Sequence, residues 1–105
     1  MLHEFSKVPA RQTVPGFSGR FIHSDKMTFA YWEITKGSTS PEHAHIHEQA
    51  AYMLEGEFVL TVAGVPHHMT PGMIVIIPSN VRHSGRAITD CKLLDVFDPV
   101  REDYK

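Results

Sequence analysis

The chain has 105 residues, with 10 Lys and Arg against 12 Asp and Glu, for a formal net charge of −2. That length holds one domain with a modest core, and the slightly acidic balance gives no basic footprint for nucleic acid. The longest aliphatic run, residues 73–77, is far too short to span a bilayer. A lone cysteine, Cys91, leaves no intrachain disulfide, and the N-terminus lacks the basic and apolar regions of a signal peptide. A cytoplasmic protein with no membrane or nucleic-acid partner is the expectation.

The segments are short and punctuated by Gly and Pro. Residues 17–22 are expected as an N-terminal strand able to pair with a partner chain. Thr28–Ile34 is rich in aromatic and branched residues and ends before Lys36 and Gly37, so it reads as a strand. Phe58–Val62 reads as a second, followed by a turn over residues 63–66. Residues 73–77 lie between Pro71-Gly72 and Pro78, and read as a fully buried strand. Residues 92–97 form a further strand, stopped by Asp98-Pro99. The polar tail, residues 101–105, is expected to fray. No stretch carries a helical period over three turns, so a sandwich or closed barrel follows. Of the aromatics, Tyr31, Trp32 and Tyr52 are candidates for a cavity wall and better candidates for core. Tyr31 and Trp32 cannot both point inward.

Eight histidines are the unusual feature of the composition. His43 and His45 are two residues apart, a spacing that aims both to one face of a strand. Two imidazoles can then converge on one ion, and neutral imidazole suits Zn, Ni, Cu and Fe. A third ligand must come from a nearby bend and a fourth from a neighbouring strand, roles for which Gln49 and His83 are placed. Asn80 sits in a tight turn, at a position suited to left-handed backbone, and that turn brings His83 back over the barrel mouth.

This arrangement resembles the cupin superfamily. Its first motif is matched by Gly37, His43, His45, Gln49 and Gly56, with Gln for the usual Glu. Its second is matched by Gly72, Pro78, Asn80, His83 and Ala87, with Asn and Ala at two positions that are not metal ligands. The resemblance covers roughly residues 30 to 100. It implies an all-β fold, a single-domain cupin with a double-stranded β-helix (jelly-roll) barrel over about residues 25–100. It also implies one divalent metal ion (Ni, Zn, Mn or Fe) on His43, His45, Gln49 and His83. Pairing His45 with His47 instead would put Ala51 at the next ligand position, which leaves His47 and Glu48 outside the ligand set. Three neutral imidazoles and an amide cancel none of a dication's charge. Such a site favours a carboxylate or enolate ligand over iron-based oxygen chemistry.

In the last strand Asp95 and Phe97 share a face, with Leu93 and Cys91. If that face is the interior, Asp95 is a carboxylate that burial and a nearby cation can tune as an acid/base. Arg101 can fold back over the mouth to hold a substrate carboxylate. The chain further resembles the small pectin-degradation cupins of the KdgF type, which open 4,5-unsaturated uronates to linear keto sugars. That resemblance assigns Asp95 and Arg101 to catalysis, Phe97 and Arg101 to substrate binding, and a small carboxylate sugar as substrate. It also leaves a homodimer as the expected assembly. The competing readings are a small metal-dependent cupin dioxygenase and a non-enzymatic small-anion-binding cupin.

Overall fold

Runs of alternating apolar residues closed by tight turns pair into ten strands. The computed structural model describes residues 1–105. In chain order the strands are β1 (Arg11–Gln12), β2 (Phe17–His23), β3 (Thr28–Ile34), β4 (Thr39–His43) and β5 (Glu48–Glu55), then β6 (Phe58–Val62), β7 (Val65–Met69), β8 (Ile74–Ile77), β9 (His83–Ala87) and β10 (Cys91–Asp98). The only helical segments are single 3₁₀ turns at Phe5–Lys7 and Glu102–Tyr104. Six strands form one sheet in the order β1-β2-β3-β10-β5-β8, and four form a second in the order β4-β9-β6-β7. Every pairing is antiparallel. The result is the expected all-β jelly roll.

Period-two alternation sets which side chains enter the barrel. Along β10, Cys91, Leu93, Asp95 and Phe97 are buried and the residues between them are not. Along β3 the inward set is Thr28, Ala30, Trp32 and Ile34. Trp32 therefore points in, whereas Tyr31 stacks outside on Phe5 and Tyr52 is exposed on β5. Phe17, Phe58 and Trp32 pack together in the core, with Phe17 edge-on to both other rings.

Gly85 on β9 is required by this packing. A Cβ there would lie 2.6 Å from Phe58 Cε2 and closer still to Cζ, and Phe58 is itself buried. Gly85→Ala is expected to destabilise the chain by about 1–3 kcal/mol through overpacking, read as a lower urea midpoint at unchanged slope.

Several expectations are corrected. The run at residues 73–77 is not a fully buried strand. β8 is the outer strand of its sheet, bonded only to β5, and Ile74 and Ile76 are 56% and 54% exposed. Ile77 is fully buried in the core and Val75 is half-buried against it. The turn at residues 63–66 is tighter than expected. Ala63 and Gly64 take the positive-φ positions, and Val65 already pairs with Val62 in the β6–β7 hairpin. Pro66 is tolerated because β7 is an edge strand. Residues 17–22 lie in β2, which pairs with β3 along one edge and with the two-residue β1 at Ser18 and Gly19 on the other. The tail does not fray. The Arg101 N–H donates to Thr28 Oγ1 at 2.8 Å, and His23 Nε2 lies 3.3 Å from the Tyr104 carbonyl oxygen.

Candidate functional site

The two Gly-framed segments meet at one end of the barrel. Asn80 adopts φ 65°, and its N–H donates to the His45 carbonyl at 2.7 Å. That bond ties the turn before β9 to the loop after β4. His43 ends β4 and His83 begins β9, and the two are direct cross-strand partners. Strand alternation does not place His45, contrary to the same-face argument. β4 stops at His43, and His45 lies in the loop that crosses to β5. Gln49 is the second residue of β5, so it reaches the mouth from the opposite sheet. The three rings have centroids 4.3 to 5.7 Å apart, and their nearest ligand nitrogens all lie within 4.8 Å of one another.

Each imidazole is oriented by the backbone. Nδ1 of His43, His45 and His83 faces the carbonyls of Pro41, His47 and Val81 at 2.8, 3.0 and 2.9 Å. A carbonyl only accepts, so each Nδ1 carries the proton and each Nε2 is left to serve the common centre. Burial, with Arg101 and His83 nearby, lowers the His45 pKa to about 4. Burial also lowers that of His83. Both rings are therefore neutral at pH 7.

This geometry tests whether a cation fits. His45 Nε2 and Gln49 Oε1 stand 3.2 Å apart, two lone pairs aimed at each other once His45 is neutral. His83 Nε2 is buried with no partner at all. Acceptors so arranged repel unless a positive centre lies between them. Ligands of a metal at about 2.0–2.2 Å stand roughly 3–3.5 Å from one another, so the spacing matches. His43, His45 and His83 can hold a divalent ion, with Gln49 as the added oxygen donor. The same donors accept Zn, Ni, Mn or Fe.

Beside this centre lies a cavity of about 260 Å³. Its polar lining includes Asp95, Arg101, Asp103 and Tyr104, and Phe97 and Trp32 are among its walls. Asp95 faces the interior and is 7% exposed. Its Oδ2 accepts the Trp32 indole N–H at 3.0 Å, and its Oδ1 is buried without a partner. Burial raises its pKa to about 7, against the opposing pull of the Gln49 amide, the Trp32 indole and the Arg101 charge. Arg101 is buried, but its planar fork is not free. Nε and one Nη donate to Asp103 at 2.9 and 2.7 Å, and the guanidinium lies over the Phe97 and Tyr104 rings. The other Nη makes no hydrogen bond to the protein.

Asp103 and Tyr104 are site residues that sequence reasoning misses, and Trp32 is both core and cavity wall. For Trp32 the signal is present, since it shares its inward parity with Ala30 and Ile34. Tyr104 arrives through the anchored tail and stacks on Phe21 at 4.4 Å, which no periodicity encodes.

Comparison with known proteins gives this arrangement its family. The model of the cupin domain matches residues 30–97. The chain belongs to the cupin family. Among relatives of known name, this cupin is 29% identical over 82 residues to the L-ectoine synthase of Marinomonas sp. (strain MWYL1), covering 74% of the chain and 64% of that enzyme. It is 28% identical over 83 residues to the pectin degradation protein KdgF of Dickeya dadantii (strain 3937), covering 77% of the chain and 76% of that protein. An RmlC-like cupin from Shewanella frigidimarina NCIMB 400 superposes with a TM-score of 0.93 at 28% identity, over 98% of this chain and 94% of that one. KdgF from Halomonas sp. superposes at 0.89 with 22% identity, over 95% and 94% of the two chains, which bears on the fold alone.

Proposed function

We propose that this cupin is a metal-dependent enzyme that opens 4,5-unsaturated uronate monosaccharides, from pectin or alginate breakdown, to linear keto forms. The observation that carries this reading is that Asp95 lines one small cavity together with His43, His83 and Gln49 of the three-imidazole, one-amide centre. The likeness to a KdgF protein supports the substrate class. A volume of about 260 Å³ is below the roughly 300–1,000 Å³ of pockets that take drug-sized ligands, and so suits one sugar rather than a chain of them.

The reaction is an isomerisation. The C1 hydroxyl loses its proton, the bond from C1 to the ring oxygen breaks, and C1 becomes an aldehyde. The electron pair left on the former ring oxygen forms an enolate over C5 and C4, and a proton added at C4 completes the ketone. Asp95 takes the first proton and returns one to C4, a task for which a pKa of about 7 is matched to neutral pH. The Trp32 N–H holds Oδ2, and Oδ1, with two lone pairs, has one to spare for the substrate. Arg101, fixed by Asp103, offers its remaining Nη to the substrate carboxylate. Phe97 is a wall for the sugar ring and keeps water from it. A bound dication supplies positive charge against the developing enolate.

Incubation of nickel-loaded protein with an unsaturated monouronate is expected to bleach the ultraviolet absorbance of its conjugated double bond at least about 100-fold faster than the spontaneous rate. A rate equal to the spontaneous one overturns the reading. Dioxygen consumption by iron- or manganese-loaded protein would instead favour a dioxygenase. A saturable thermal shift with uronate and no product would favour an anion-binding role.

The homodimer is assigned to the outer face of β5 and β8. Ile74 and Ile76 stand exposed on an unpaired edge, and no residue of β8 is charged. An apolar edge of this kind is a template for pairing unless a second copy covers it. Ile76→Glu is expected to convert a dimer to a monomer in light scattering; an unchanged mass removes this face as the interface. No helix is long and apolar enough to cross a membrane. A cytoplasmic location is proposed on the unpaired, buried Cys91.

A further inference from the structure

Gln49 stands between the two halves of the site. Its Oε1 faces His45 Nε2 at 3.2 Å. Across the sheet, Gln49 is opposite Phe97 and Ala51 is opposite Asp95. Gln49 and Asp95 are thus diagonal neighbours on one inward face, within reach of a glutamine side chain. Both are buried and both line the same cavity. Asp95 Oδ2 is already taken by Trp32, and Oδ1 is buried with no hydrogen bond formed. The Gln49 side chain lies on the imidazole side of that carboxylate and carries two N–H donors.

An amide offers a lone-pair oxygen and two N–H donors on one planar end. With the oxygen turned to the imidazoles, the NH₂ group turns away from them, toward the neighbouring strand β10. A carboxylate at position 49 would serve the imidazole side equally well but would present only acceptors to Asp95. Two buried carboxylates side by side cannot both ionise without a large cost. One of them would have to keep a proton, at the expense of either the centre or the base.

We propose that Gln49 is a positioning residue for Asp95, with its oxygen directed to the histidine centre and its NH₂ to the Asp95 carboxylate. The choice of glutamine at this position is then set by the acid on β10. This inference deepens the proposed reaction and rests on Asp95 acting in it, but the pairing itself is a property of the folded chain.

The test is a double-mutant cycle on metal-free protein: wild type, Gln49→Glu, Asp95→Asn and the pair together, melted in mildly alkaline buffer. Gln49→Glu is expected to lower Tm by about 5 °C or more, because two carboxylates then meet. In the double variant the introduced asparagine supplies N–H groups to the introduced carboxylate, and at least half of the loss is recovered. Ni²⁺ titration is expected to show one ion per chain in wild type and in Gln49→Glu alike, whereas uronate turnover in Gln49→Glu falls as in Asp95→Asn. Additive melting shifts, or a Gln49→Glu protein that melts with the wild type, overturn the proposal. Should neither protein carrying Gln49→Glu fold, the Gln49 side-chain amide signals in ¹⁵N–¹H spectra decide it. They are expected to shift between wild type and Asp95→Asn, and identical signals overturn the pairing. Coupled melting in a protein with no uronate activity would sink the proposed reaction and leave the pairing standing. Additive melting in an active protein would do the reverse.

Discussion

Replacing His83 by alanine is expected to take bound divalent metal from one ion per chain to less than about a tenth after dialysis. Affinity should fall by more than the 10–100-fold that follows loss of a mere outer-shell partner. His83 is the deepest of the three imidazoles, 4% exposed, and its Nε2 has no protein partner to compensate for burial. A buried nitrogen lone pair without a donor is costly in an ion-free protein. Its retention makes sense only if something positive takes that place. His43 and Gln49 cannot substitute, since they approach from the strand beside it and from the opposite sheet. The control is His47→Ala. His47 serves His45 through its backbone carbonyl, which alanine keeps, so one ion per chain should remain. Elemental analysis and calorimetric Ni²⁺ titration check both. Full metal content in His83→Ala would remove the centre as described.

How far the sequence carries can be judged residue by residue. The spacing of Gly37, His43, His45, Gln49 and Gly56, with Gly72, Pro78, Asn80 and His83, is enough to bring four donors to one barrel mouth. Such spacing is legible because turns and strand parity are local properties. The inward face of β10 is legible for the same reason, and Asp95 lies on it. The route by which His45 arrives is not. A loop that crosses between sheets obeys no alternation, and the Asn80-to-His45 backbone bond that holds it joins residues far apart in sequence. The four aliphatic residues of β8 mislead because a continuous apolar run looks the same whether the chain buries both faces or leaves one exposed. Nor does composition reveal that a polar tail is anchored. Thr28 and His23 fix it from across the fold, and with it come Arg101, Tyr104 and the Asp103 carboxylate that occupies the arginine fork.

Asp95→Asn is the second large effect, and it separates chemistry from folding. Asparagine is nearly isosteric, and its carbonyl can still accept the Trp32 N–H, so the barrel and the imidazole centre should persist. Metal content is expected to stay at one ion per chain while turnover of an unsaturated uronate falls about 10²–10⁴-fold, the usual contribution of a positioned acid/base. Full retained turnover would take Asp95 out of the mechanism. Stability should move the other way. In the metal-free chain the folded pKa of Asp95 is about 7 against 3.8 for the unconstrained group, because burial disfavours its charged form. A raised folded pKa means that the folded state holds this proton more tightly. The contribution favours folding below about pH 4 and is lost as pH rises through about 7. Asparagine has no such loss. Metal-free Asp95→Asn should therefore match the wild type near pH 4 and exceed it by up to a few kcal/mol above pH 7, as read from urea unfolding across that range. A carboxylate whose removal stabilises the fold and abolishes turnover is one that packing alone does not explain. Its place inside an apolar barrel then follows from the proton it has to move.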